Sequence, residues 1–144
     1  MGGRGHGFSL VEVVLAVALA GLFALGAQAT VQKLGPGLHL RSGLWQVTSG
    51  LSQARFEAIL SGTAVRVRFA PAGFSLERYD ESAGLWRPAR TVVLDGVRVR
   101  ANNAPIFHPQ GTVSGMASIT VENAKGSYRI TVAITGRIRT VRTG

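Results

Sequence analysis

The chain has 144 residues, enough for one apolar helix and a single domain of about a hundred residues, with no second domain needed. It contains no cysteine, which excludes disulfide bridges, thiol chemistry and zinc–thiolate sites, so an exported domain must be held by packing and hydrogen bonds alone. Sixteen Lys and Arg against seven Asp and Glu give a net charge of +9, a balance that attracts anions such as nucleic acid or lipid headgroups without choosing between them.

A short polar leader ending at Gly7 runs into an apolar stretch over residues 8–27. As a helix that stretch is about 30 Å long, the hydrocarbon thickness of a bilayer. A secretory signal peptide is cut behind its apolar region; here the candidate processing point lies in front of it, so the helix is expected to stay in the mature protein. Glu12 lies inside the stretch, where an ionised carboxylate costs about 2.5–3.5 kcal/mol near the bilayer centre and less near the interface. It calls for a partner. Ser9-Leu10-Val11-Glu12 also has the form of a capping box, with Ser9 as N-cap and Glu12 answering its backbone N–H. Arg4 precedes the stretch while Lys33 and Arg41 follow it, so flanking charge does not choose an orientation.

The segment Gly7-Phe8-Ser9-Leu10-Val11-Glu12 closely resembles the class III leader and N-terminus of type IV pilins and type II secretion pseudopilins. The resemblance implies that a prepilin peptidase cuts between Gly7 and Phe8, methylates the new amine on Phe8, and leaves Glu12 as the glutamate at the fifth mature position. In that family this carboxylate meets the N-terminal amine of a neighbouring subunit, neutralising both charges as the filament grows. It further implies a cytoplasmic leader, a single pass through the inner membrane, a periplasmic C-terminal domain, and assembly with other pilin or pseudopilin subunits into a pilus or pseudopilus in the envelope or at the cell surface. Many pilins carry a C-terminal disulfide, and this chain departs from them.

Gly35-Pro36-Gly37 is expected to break or bend the helix, because proline removes a backbone donor and crowds the preceding turn. The expected layout is therefore a leader 1–7, a membrane and filament-core helix 8–34, a hinge 35–37 and a soluble domain 38–144. After the hinge Leu40, Leu44, Val47, Leu51, Ala54 and Ala58 recur at spacings of four and three, which predicts an amphipathic helix over 38–61 packed on a sheet. Gly43 and Gly50 each cost that helix about 1 kcal/mol relative to alanine, so packing must sustain it. Gly62 is a natural left-handed cap.

Beyond Gly62 the period changes to two, which predicts antiparallel strands over 63–142. Val65, Val67 and Phe69 should face the helix, and Ala70-Pro71-Ala72-Gly73 should turn the chain into a strand over 74–79. Residues 91–94 and 97–100 around Asp95-Gly96 read as a second hairpin, with Arg98 and Arg100 projecting to one side. Residues 116–122 and 127–134 around Asn123-Ala124-Lys125-Gly126 read as a third, with Tyr128, Ile130, Val132 and Ile134 on one face. A short strand over 137–141 follows. The fold class is thus α+β, a long N-terminal helix packed on an antiparallel sheet, which is the pilin architecture.

Within that superfamily the chain resembles the GspH/FimT group. The resembling residues are Leu51-Ser52-Gln53-Ala54-Arg55-Phe56-Glu57-Ala58-Ile59 before Gly62-Thr63-Ala64-Val65-Arg66-Val67, then Phe107-His108-Pro109-Gln110-Gly111, and finally Arg129-Ile130 before Gly136-Arg137-Ile138-Arg139. From Lys125 onward there are only basic charges. On an extended strand Arg137 and Arg139 point the same way about 6.8 Å apart, suited to forked contacts with neighbouring phosphates. In FimT members used for natural transformation a Gly-Arg-x-Arg element contacts DNA, so the resemblance implies a DNA contact at Arg137 and Arg139; the basic residues Arg142, Arg129 and Lys125 are further candidates for it, and phosphate contacts of this kind would be sequence-independent. Solvated arginines guarding an edge strand would look the same. Trp86, beside Arg87 and Arg90, is a secondary candidate, expected mainly to plug the edge of the core. A type II secretion pseudopilin without any DNA role is the alternative.

No catalytic site is expected. His6, His39 and His108 have no metal-ligand spacing, and Asp80 and Glu81 belong to an exposed turn, so neither a metal nor another cofactor is called for.

Overall fold

One helix, α1, occupies Leu10–Ser61 in the computed structural model, which describes residues 9–144 apart from the side chains of 23–34. Ser9 caps it through its carbonyl, which accepts the amides of Glu12 at 2.9 Å and Val13 at 3.2 Å. No hydrogen bond joins the Ser9 hydroxyl to Glu12 or the Glu12 carboxylate to Ser9, so the reciprocal capping box is not formed among the described residues. At the other end Gly62 turns left-handed, at φ +66°, where a side chain would be strained.

The chain forms two compact units that meet between Gly35 and Pro36. In the first, Leu10, Val11, Val13, Leu15, Ala16 and Leu19 are all exposed and point in all directions around the axis, so the helix is apolar on every side rather than along one stripe. Among the described residues no helix is long and apolar enough to cross a membrane; part of the expected 8–34 span lies outside them.

The backbone is helical through Gly35, Pro36 and Gly37, so no break interrupts α1 there, although the division between the two units falls at this point. Proline's fixed φ is compatible with a helix, and the loss of one donor is outweighed by the turns on either side. Asn123 adds a tether, donating from Nδ2 to the Pro36 carbonyl at 2.6 Å and to that of Gly96 at 3.2 Å.

In the second unit the predicted stripe is buried: Leu40, Val47, Leu51, Ala54 and Ala58 lie in the core and Leu44 packs against it. Nine strands follow: β1 Val65–Ala70, β2 Gly73–Asp80, β3 Leu85–Val93, β4 Arg98–Ala101, β5 Ile106–Phe107, β6 Val113–Ser114, β7 Ala117–Asn123, β8 Gly126–Val132 and β9 Ile138–Arg142. They make two antiparallel sheets, one in the order β3-β2-β1-β5-β6 and one in the order β4-β7-β8-β9. The first and third predicted hairpins are β1–β2 and β7–β8, and β9 is the predicted last strand. Val65, Val67, Leu76, Phe107, Ile119 and Ile130 are fully buried between helix and sheets, each contributing about 1.5–3 kcal/mol.

The second predicted hairpin does not exist. Residues 91–93 finish β3, which pairs with β2, whereas β4 pairs with β7 in the other sheet. Asp95-Gly96 does reverse the chain, with Gly96 at φ +67° against the His39 ring, but it carries the chain from one sheet to the other. Leu94 and Val99 are thereby both buried. The first half of β3 escapes a two-residue pattern because it is an edge strand with Pro88 in it and a register shift opposite Leu76 and Glu77. Trp86 does not plug the core: it pairs with Tyr79 on the outer face of the larger sheet, ring centroids 5.2 Å apart, with the Arg66 guanidinium 4.4 Å from its centre.

Candidate functional site

Strand parity puts the arginines of the smaller sheet in one place. In β8 Ile130 and Val132 are buried, so Ser127, Arg129 and Thr131 turn to solvent. The register carries that face onto β9, where Arg139 is opposite Thr131 and Val141 opposite Arg129. Arg137, two residues before Arg139, shares the parity, and its carbonyl accepts the Ala133 amide at 3.0 Å. In the other direction Thr120 is opposite Arg129 and Glu122 opposite Ser127, and β4 sets Arg100 beside Thr120 and Arg98 beside Glu122. One sheet face therefore carries Arg98, Arg100, Arg129, Arg137 and Arg139, all exposed.

Glu122 is the one carboxylate on that face, and it accepts Arg100 at 2.7 Å. The other ion pairs among the described residues are Arg66 and Arg68 with Glu77, Arg78 with Glu57, and Arg87 with Asp80. None uses Arg98, Arg129, Arg137 or Arg139. Their charge is left to solvent or to an anion.

Arg142 is opposite Tyr128 and so belongs to the other face, where its Nε donates to the Gly144 carbonyl at 3.2 Å. Lys125 is exposed in the β7–β8 turn, its amide held by Asn123 Oδ1 at 2.9 Å. Gly136 has φ +76°, and a Cβ there would come 2.8 Å from the Gly111 carbonyl and 2.9 Å from the Arg55 guanidinium. Arg55 donates to the Gly136 carbonyl at 3.3 Å. Three separated sequence patches thus meet at one point and set where β9 begins. Arg55 as an anchor, and Arg98 and Arg100 as neighbours of the tail, are the residues that sequence reading missed. Helical periodicity gives no sign of the first, and only the β4–β7 pairing reveals the others.

Glu12 lies in the first turn of α1 with its side chain exposed. Gly7 and Phe8 lie outside the described residues. Asp80 is a turn former: its carboxylate accepts Ser82 Oγ at 2.6 Å, Arg87 Nε at 2.6 Å and the Ala83 amide at 3.2 Å. The Ser82 hydroxyl, then Arg87, then the Ala83 amide hold its pKa down to about 2. His108 Nε2 lies 2.8 Å from Ser114 Oγ, within a loop. Among the described residues no cluster of His, Asp or Glu is suited to a metal ion. A groove of about 190 Å³ between α1 and the larger sheet, lined by Trp45, Gly50, Phe74 and Val92, is smaller than the roughly 300–1,000 Å³ usual for small-molecule sites.

Comparison with known proteins agrees with this architecture. The family model described as type II transport protein GspH matches residues 46–136, and the prokaryotic N-terminal methylation motif matches residues 3–28. No curated relative matches the chain. Among solved structures, the minor pseudopilin EpsH of the Vibrio cholerae type 2 secretion system is similar over 74% of this chain and 98% of its own, at 16% identity and a TM-score of 0.62. The type IV minor pilin FimU of Pseudomonas aeruginosa is similar over 71% of this chain and 87% of its own, at 17% identity and 0.58. The solution structure of E. coli GspH is similar over 73% and 89%, at 13% identity and 0.56. At such identities the structural likeness shows a shared fold.

Proposed function

This chain belongs to the GspH family of minor pilins and pseudopilins, and from that premise we propose a subunit that is stored in the inner membrane, processed, and built into a filament that binds DNA. The prepilin peptidase cuts between Gly7 and Phe8 and methylates Phe8, and the soluble unit stands in the periplasm on a single-pass helix. Support comes from the first unit of α1, whose exposed apolar side chains surround the helix and demand either lipid or neighbouring helices. Glu12 is the only acidic residue there, and a neighbouring subunit's N-terminal amine would neutralise it during assembly.

Within the filament we propose that duplex DNA is held without sequence preference through Arg137 and Arg139, with Arg129 on the same face and Lys125 and Arg142 at the far end of β8 and β9. The single observation that carries this reading is the exposed, carboxylate-free run of arginines on β9 and β8. Binding of this kind rests on phosphate contacts and weakens steeply with salt. Titration of the full chain in uncharged detergent with duplex DNA at several salt concentrations tests it, beside a variant carrying Arg137→Glu and Arg139→Glu. The wild type should bind at low salt and the variant should not. Equal binding, or no binding by either, ends the DNA role and leaves the filament subunit standing. The second reading, a secretion pseudopilin whose partners are other pseudopilins and exported proteins, draws on the likeness to EpsH and GspH. It expects no binding by either protein.

A further inference from the structure

We propose that the duplex is received by the whole outer face of the four-stranded sheet, with Arg98 on β4 contacting one side of a groove, Arg137 and Arg139 contacting the other, and Glu122 holding the affinity down. This inference rests on the DNA-binding reading above and extends it to residues far from the tail in sequence.

The spacing favours it. Strands lie about 4.8 Å apart, so the three steps from β4 to β9 separate the two arginine rows by about 14 Å across the strands. Arg98, level with Ser127, is displaced a further four residues, about 13 Å, along them from Arg139, level with Thr131, so the rows would follow the two borders of a groove running parallel to the strands. The major groove of B-DNA is about 12 Å wide, so rows at that separation reach the two phosphate backbones that border it. Arg129 on β8 lies between the rows. Ser118, Thr120, Ser127 and Thr131 lie on this face of the central strands beside Glu122 and Arg129. Their short side chains let a rigid rod approach closely.

The chemistry selects the duplex over a single strand. A single-strand platform needs aromatic rings for bases to stack on. This face has none: Tyr128 has the opposite parity, and Trp86 and Tyr79 belong to the other sheet. Forked arginine donors at fixed separations are suited to phosphates of a duplex, whose spacing is also fixed.

Glu122 distinguishes this face from a tail that merely carries charge. It sits directly opposite Arg98 and pairs with Arg100, so it both repels phosphate and occupies a guanidinium that would otherwise meet one. Removing its charge should strengthen binding, an outcome that misfolding cannot imitate.

The test measures anisotropy of a labelled, mixed-sequence duplex of two helical turns with the full chain in uncharged detergent. It compares wild type, Arg98→Gln, Glu122→Gln and Arg137→Gln across a salt series. Loss of one phosphate contact should weaken binding roughly five-fold at about 0.15 M salt and lower the salt slope by about 1. That is the result expected for Arg98→Gln and for Arg137→Gln. Glu122→Gln should tighten binding by a similar factor and steepen the slope. If Arg137→Gln weakens binding while Arg98→Gln and Glu122→Gln leave it unchanged, the site is the tail alone and the sheet-face inference is wrong. If Arg137→Gln has no effect, or no protein binds duplex, the DNA reading itself fails and the inference with it. Tighter binding to a single strand, or to anionic vesicles only, overturns the duplex assignment.

Discussion

Asp80 illustrates how much one side chain does in a turn without being a site. Its carboxylate gathers the Ser82 hydroxyl, the Arg87 guanidinium and two backbone amides, and so fastens the β2–β3 connection. These donors favour the charged form, which is why its pKa falls to about 2, below the usual carboxylate value near 4. A depressed folded-state pKa contributes stability that is fully present above about pH 4 and is lost as the pH falls toward 2. Asp80→Asn is therefore expected to lower Tm at neutral pH, with the gap to wild type steady down to about pH 4 and closing near pH 2. Thermal unfolding of both proteins across that range checks it; a gap that persists at pH 2 would mean the loss comes from packing. The sequence placed Asp80 in an exposed turn. It was silent on Arg87 as the partner, because that contact depends on the register of β2 against β3.

Helix α1 shows why its glycines are where they are. A Cβ at Gly50 would run into the Phe74 ring, and one at Gly43 would come 2.8 Å from Val97. Glycine weakens a helix by about 1 kcal/mol relative to alanine, and here that cost permits close approach to the sheets. Gly50→Ala is expected to destabilise the protein by about 1–3 kcal/mol despite the better helix propensity, because the ring must move within a packed core. Gly37→Ala faces open space and should gain up to about 1 kcal/mol. Chemical unfolding midpoints of the two variants separate packing from propensity: stabilisation by both would show that Phe74 yields freely. The apolar stripe of this helix was readable from spacing alone, since Leu51, Ala54 and Ala58 follow a 3.6-residue period. The connection at Asp95-Gly96 is not legible in this way, for the opposite reason. A turn signal is local, and the strand it delivers may join any sheet edge able to bury Val99. The continuity of α1 through Pro36 was also illegible, because local rules count the missing donor and not the tether from Asn123, 87 residues away.

Taken whole, the molecule divides into two compact units, Met1–Gly35 and Pro36–Gly144. The proposed maturation predicts that Gly7→Val leaves the leader attached, whereas Glu12→Val is processed normally and fails to enter filaments. Mass spectrometry of the mature N-terminus and recovery of sheared filaments measure the two steps separately. An intact leader on the wild-type protein would remove the prepilin reading. The leader motif, the apolar and amphipathic stretches of α1 and most of the strands are legible in the amino-acid sequence because each is written in the spacing of neighbouring residues, and the excess of arginine is plain from composition. The division into two sheets, and the face that Arg98 and Arg100 share with Arg129, Arg137 and Arg139, follow from strand pairing over long stretches of chain. Which way a strand's side chains point is local, but whether two strands point theirs together is set by hydrogen-bonded register between segments far apart in the chain.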